Sequence, residues 1–154
     1  MPLTDLISAE AVIPALRAKT KKAALHEISD KAGLVSGLQS REVFDAVLQR
    51  ERLGSTGIGN GIAIPHGKLV ACTKIFGVFA RIERPIEFEA LDGAPVDLMF
   101  MLVAPEASGA DHLKALARIA RVLREPRLLA KLRATKDASG LFGVLTQQPT
   151  SNAA

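Results

Sequence analysis

The chain of 154 residues, 48% hydrophobic and 23% charged, has the composition of one compact domain with enough apolar side chains for a real core. Its formal net charge of +4 comes from 20 basic and 16 acidic residues mixed along the sequence, and with no Trp or Tyr and only six Phe it has little to stack on bases, which argues against nucleic acid as a partner. Cys72 is the only cysteine, so an internal disulfide is excluded and a reducing compartment is expected; the residue itself reads as a small side chain at a strand start.

Met1 to Ala15 contains Asp5 and Glu10 and lacks a basic start followed by an apolar run, so it does not read as a signal peptide. No apolar stretch approaches the ~20 residues of a membrane span, and a cytoplasmic location is expected. Thr20 to Lys31 carries Ala23, Ala24, Leu25 and Ile28 at helical spacing, with Thr20 as N-cap and Gly33 as the stop. Ser40 is placed to cap a second helix whose apolar face is Val43, Phe44, Val47 and Leu48, ending at Leu53-Gly54.

Four glycines fall in the eight residues Gly54 to Gly61, a density that predicts a loop with unusual backbone angles. Ile62-Ala63-Ile64 reads as a brief strand leading to Pro65-His66-Gly67. Lys74 to Ile82 alternates like a strand, and Val96 to Val103 is almost continuously apolar, the pattern of a central strand covered on both faces. Asp92-Gly93 between them marks a turn.

Ser108-Gly109-Ala110-Asp111 has capping-box spacing and opens a helix with an expected apolar face of Leu113, Leu116, Ala117, Ala120 and Leu123. Pro126 starts a short helix through Leu132, a last helix runs from Lys136 to Leu145, and 147–154 reads as a loose, disordered tail. The order helix, helix, strands, three helices predicts an α/β fold, one domain over 1–146 with a sheet covered by helices on both faces. There is no internal repeat, low-complexity tract or long linker.

The chemistry concentrates between Arg50 and Lys68. The glycine segment is not a dinucleotide fingerprint, because Ile62 stands at the third glycine position and a helix precedes the loop; it is not a Walker loop either, because Ile62 and Leu69 occupy the required glycine and hydroxyl positions. What remains, Gly54, Ser55, Thr56, Gly57, Gly59, Asn60 and Gly61, offers amides and hydroxyls that suit an anion beside an imidazole, or else a tight connection with no ligand. His66 lies between Pro65, which fixes the backbone, and Gly67, which leaves space; near its ordinary pKa it is mostly neutral at pH 7 and offers a ring nitrogen as nucleophile.

Arg50 lies seven residues after Val43 and three after Val47, on the inward stripe of its helix, where it either snorkels to solvent or meets an anion. His112 falls in the first turn of the helix after Ser108, near exposed amides that favour negative charge, at the edge of the apolar face. His26 reads as structural. No carboxylate or cysteine accompanies His66 and His112 at ligand spacing, so neither a metal nor another cofactor is expected. A Ser-based hydrolase is equally unsupported, since no Gly-x-Ser-x-Gly elbow exists.

The run from Arg50 through Gly54-Ser55-Thr56-Gly57-Ile58-Gly59-Asn60-Gly61 to Ile64-Pro65-His66-Gly67-Lys68 resembles the active-site segment of enzyme IIA of the mannitol/fructose phosphotransferase family, and within it the nitrogen-regulatory branch. Asp92-Gly93-x-Pro95-Val96-Asp97-Leu98, Ala104-Pro105-Glu106 and His112-Leu113-x-x-Leu116-Ala117 extend the similarity from Leu3 to Leu145. The resemblance implies a three-layer α/β/α fold with a mixed central sheet, phosphorylation of His66, and His112 and Arg50 as partners of the phosphoryl group. It implies a histidine phosphocarrier protein as donor, charged by enzyme I from phosphoenolpyruvate, and regulatory target proteins or a sugar-specific IIB domain as the recipient of the signal or of the phosphoryl group.

Overall fold

A computed structural model describes residues 3–147. The expected loose tail, apart from Gln147, and the first two residues lie outside the described residues. A short 3-10 turn, Ala9–Ala11, leads into β1 (Val12–Leu16), followed by α1 (Lys21–Ser36), α2 (Ser40–Arg52), β2 (Gly57–Gly59), β3 (Ile62–Ala63), β4 (His66–Leu69), β5 (Phe76–Ile86), β6 (Val96–Pro105), α3 (Ala110–Val122), α4 (Pro126–Ala134) and α5 (Ala138–Thr146). The strands form one mixed sheet in the order β1-β5-β6-β3-β2, with β4 also on β6, and helices flank it, as the α/β expectation required. Among the described residues no helix is long and apolar enough to cross a membrane.

β6 is the spine of the sheet. It pairs antiparallel with β5 on one side and parallel with β3 and β4 on the other, and from Val96 to Ala104 only Asp97 is not buried. Its apolar run is that of a strand with helices over both faces, a pattern open to direct reading from sequence. β1 was not expected. It is an edge strand paired parallel with β5, and an edge tolerates the proline, Pro14, whose missing N–H would interrupt an interior ladder.

Several helix boundaries differ from expectation, α4 running on to Ala134 and α5 spanning Ala138–Thr146. α1 passes through Gly33 to Ser36 and stops at Gly37, whose φ of 81° is the left-handed cap conformation. Gly33 answers a packing need instead, because a Cβ there would meet the Leu38 carbonyl oxygen at 3.0 Å and Ser40 Cβ at 3.1 Å, where α1 turns into α2. Thr20 does cap α1, accepting from Ala23 N at 3.1 Å. Ser40 is the first residue of α2 and makes no capping bond; Gln39 holds the N-cap position.

The capping box at Ser108 does not form either: Gly109 precedes α3 and the Ser108 hydroxyl is buried without a partner among the described residues. The expected face of α3 is met in part: Leu123 is buried and Leu116 and Ala120 pack against the core, but Leu113 and Ala117 are exposed. The helix also buries His112, Ala115 and Ile119, whereas Leu113 is 67% exposed. Pro126 opens α4 as expected, and α5 is capped by Asp137, which accepts from Gly140 N at 2.9 Å.

The glycine segment is only partly a loop. Gly57–Gly59 and Ile62–Ala63 pair as an antiparallel hairpin, with Asn60 (φ 57°) and Gly61 (φ 80°) in its turn. Arg133 of α4 clamps that turn, donating to Asn60 O and, through two nitrogens at 2.8 and 2.9 Å, to the Asp97 carboxylate.

Among the glycines, Gly77 of β5 leaves the least room for a Cβ, which would lie inside van der Waals contact of the Phe100 ring. Gly77→Ala is therefore expected to lower stability by about 1–3 kcal/mol, read from the urea midpoint at unchanged denaturant slope.

Candidate functional site

The position of His66 follows from an interruption in the sheet. β3 and β4 run along the same side of β6 in one continuous register, Ile62 opposite Leu98 and His66 opposite Leu102, with Ile64-Pro65 between them. Pro65 has no N–H to give to a ladder. The Pro65 carbonyl still accepts from Leu102 N at 3.0 Å, but Ile64 leaves the register and its N–H goes to Thr56 O at 3.0 Å. The Ile64 carbonyl is taken by the His66 side chain, whose Nδ1 lies 3.0 Å away.

A carbonyl can only accept, so His66 Nδ1 carries the proton and Nε2 keeps a free lone pair. His66 is thus the first residue of β4, held at the backbone by β6 and at the ring by Ile64. Gly67 permits α2 to lie against β4, since a Cβ there would sit 3.1 Å from Ala46 Cβ.

His66 opens into a cleft of about 420 Å³ whose walls are Ala46, Gln49, Arg50 and Leu53 at the end of α2, Gly67 and Lys68 of β4, and His112 of α3. The structure therefore brings together the three residues singled out by sequence. The His66 and His112 rings lie with centroids 5.4 Å apart and planes inclined at 56°. Arg50 is half-buried and donates from Nη1 to the Gly54 carbonyl at 2.9 Å.

The glycine loop is not brought to His66. Gly54, Ser55, Thr56, Gly57, Gly59, Asn60 and Gly61 are not among the residues lining the cleft, and several of their polar groups are already used. Ser55 Oγ donates to Phe88 O and accepts from Gly57 N, Thr56 is bonded to Glu51, Asn60 N donates to Asp92, and Gly61 O accepts from Asp97 N and Leu98 N. What the loop gives the site is the Gly54 carbonyl that holds Arg50.

Sequence reasoning missed Glu51. It is buried, accepts from Thr56 N at 3.1 Å and from the Thr56 hydroxyl, and pairs with Lys21 at 2.9 Å. The signal was present: Glu51 lies four residues after Val47 and eight after Val43, on the centre of the buried stripe. Lys68 and Gln49 were missed as cleft residues, Lys68 because it could be placed only once β4 was known to pair with β6.

Burial holds His66 below the ordinary histidine pKa, with Arg50 and Lys68 adding to the effect and the Ile64 hydrogen bond and the Glu51 carboxylate opposing it. Burial also pushes His112 down to about 4, helped by His66 and Lys68. Both rings are neutral at pH 7. His112 Nδ1 is buried without a partner among the described residues, so the ring proton sits on Nε2, since burying an N–H without an acceptor is costly. The site is a neutral imidazole with a free Nε2 lone pair beside a second neutral imidazole, with Arg50 and Lys68 supplying positive charge at the cleft.

Two neutral imidazoles beside an arginine and a lysine make a cleft suited to an anion, on a mixed α/β sheet. Residues 5–148 match the family described as phosphoenolpyruvate-dependent sugar phosphotransferase system, EIIA 2, and the chain belongs to that family, a phosphotransferase component. Its similarity within the family is to the nitrogen-regulatory type. It is 56% identical over 153 residues to the nitrogen regulatory protein of Bradyrhizobium diazoefficiens, covering 99% of this chain and 100% of that one. To the nitrogen regulatory protein of Escherichia coli it is 40% identical over 147 residues, covering 95% and 90% of the two chains. The crystal structure of nitrogen regulatory protein IIA-Ntr from Neisseria meningitidis superimposes with a TM-score of 0.86 at 31% identity, covering 92% of this chain and 97% of that one.

The depressed pKa of His112 has a consequence for stability. The unfolded chain takes up a proton on this ring near 6.5, whereas the folded protein resists it until about 4, so the stabilisation is complete above 6.5 and is lost as pH falls toward 4. In urea titrations between pH 7 and 4 the midpoint of the wild-type protein is expected to fall, and His112→Gln to flatten that fall; identical slopes would contradict the assignment.

Proposed function

We propose that this chain is a nitrogen-regulatory phosphoryl carrier of the cytoplasm, phosphorylated on His66 Nε2 by a histidine phosphocarrier protein and acting by phosphorylation-dependent binding to other proteins. The observation that carries this reading is the His66 Nδ1 to Ile64 carbonyl hydrogen bond beside His112 and Arg50. The Nε2 lone pair attacks the phosphorus of the donor's phosphohistidine; the new N–P bond forms on His66 as the donor's N–P bond breaks, and the departing ring keeps that electron pair.

Arg50 is the fork that reaches the transferred oxygens, and His112 Nε2–H is the second donor. After transfer His66 Nδ1 still donates to Ile64, so the ring needs no proton rearrangement. Leu53 (83% exposed) lines the cleft, and Leu113 (67%), next to His112 in the chain, and Val70 (81%), directly after β4, are further exposed apolar side chains of the kind a docking protein covers. Addition of roughly two negative charges at the centre of that surface changes which partner it accepts.

A mixture of the protein with phosphoenolpyruvate, enzyme I and the phosphocarrier is expected to give an acid-labile mass increase of one phosphoryl group, absent in His66→Ala. Arg50→Lys, which loses the planar fork, is expected to slow transfer roughly tenfold or more while the protein stays folded. A mass increase that survives His66→Ala defeats the proposal. Efficient onward transfer from the phosphorylated protein to a IIB domain would replace the regulatory reading with that of a sugar-transport component.

A further inference from the structure

We infer that Glu51 is a positioning residue for the phosphoryl transfer, acting through the turn from Gly54 to Thr56 to hold the Arg50 guanidinium at the cleft. This rests on the reading of His66 as the phosphoryl acceptor and adds a residue whose side chain does not line the cleft.

The chain of contacts is continuous. The Glu51 carboxylate, 2% exposed, accepts from Thr56 N at 3.1 Å, from the Thr56 hydroxyl, and from Lys21 Nζ at 2.9 Å. Its backbone carbonyl accepts from Gly54 N at 3.1 Å, so the segment between 51 and 56 is closed from both the main chain and the side chain of one residue. Inside that closed turn the Gly54 carbonyl meets Arg50 Nη1 at 2.9 Å. Lys21 comes from the start of α1 and also lies 4.7 Å over the Phe88 ring, which anchors the carboxylate to a second helix and to the strap after β5.

A buried ion pair is a poor way to gain stability, because desolvation offsets most of the attraction and apolar residues would pack as well. Its distinct property is directional: two oxygens with fixed donors set the turn in one geometry. Arg50 benefits, since a free arginine carries rotamer entropy that must otherwise be lost at the moment of transfer.

The test is the initial rate of phosphorylation by the charged phosphocarrier, measured against acceptor concentration for the wild type, Glu51→Gln and Thr56→Val, each alone and in an Arg50→Ala background. Alone, each is expected to lower kcat roughly fivefold to tenfold with KM within about twofold. In the Arg50→Ala background the same changes are expected to alter kcat by less than about twofold, because their effect runs through Arg50. Should Glu51→Gln fail to fold by circular dichroism, Thr56→Val, which keeps the Lys21–Glu51 pair, answers the same question. An unchanged kcat, or an equal loss with and without Arg50, overturns the inference. Absence of any phosphorylation of the wild type overturns the proposed function itself, and is thereby told apart from failure of the positioning role.

Discussion

At Ile64-Pro65 the strand beside β6 is interrupted for two residues, and the site depends on what that interruption does with backbone hydrogen bonds. Pro65 cannot donate, Ile64 turns its N–H to Thr56, and the Ile64 carbonyl is left for a side chain. His66 Nδ1 takes it. One irregularity thereby fixes the tautomer and the orientation of the ring, while resumption of pairing at His66–Leu102 fixes its backbone. The same bond from Ile64 N to Thr56 O joins this segment to the turn that carries Arg50.

Electrostatics then work in the direction that the proposed phosphoryl transfer requires. Two histidines a ring contact apart, partly withdrawn from water and near Arg50 and Lys68, cannot easily take protons, so the nucleophile keeps its lone pair. The cations that disfavour a protonated imidazole favour a phosphorylated one, because the product bears negative charge where the reactant is neutral. On the proposed function, the site is thus biased toward receiving the group before any donor binds.

Much of this was legible in the sequence, and the boundary of what was not is physical. Thr20, the β6 apolar run and Pro126 are local signals, and each did what its residue type predicts. Arg50 was placed correctly because helical spacing carries a position from Val43 and Val47. β1 and β4 were invisible for the opposite reason: each is a strand only because a partner distant in sequence pairs with it, and Pro14 or Gly67 hides the pattern. In α3 Leu116 and Leu123 pack inward as their spacing suggested, but Ala115 and Ile119 are buried too and Leu113 is exposed, while His112 turns inward. The glycine segment was read as either an anion cradle beside an imidazole or a tight connection; its polar groups build a hairpin and hold Arg50, a choice that only tertiary contacts with Asp92, Asp97 and Arg133 reveal.

The central claim is that His66 holds its proton on Nδ1 and presents Nε2. Nitrogen-15 NMR of the histidine-labelled protein tests it most directly, first in the free form and then after phosphorylation, by the ring-nitrogen shifts and their coupling to phosphorus. The account predicts a neutral His66 protonated at Nδ1 at pH 7, and phosphorus coupled to Nε2 with the Nδ1 proton retained. A free-form tautomer protonated at Nε2, or phosphorus coupled to Nδ1, would contradict it.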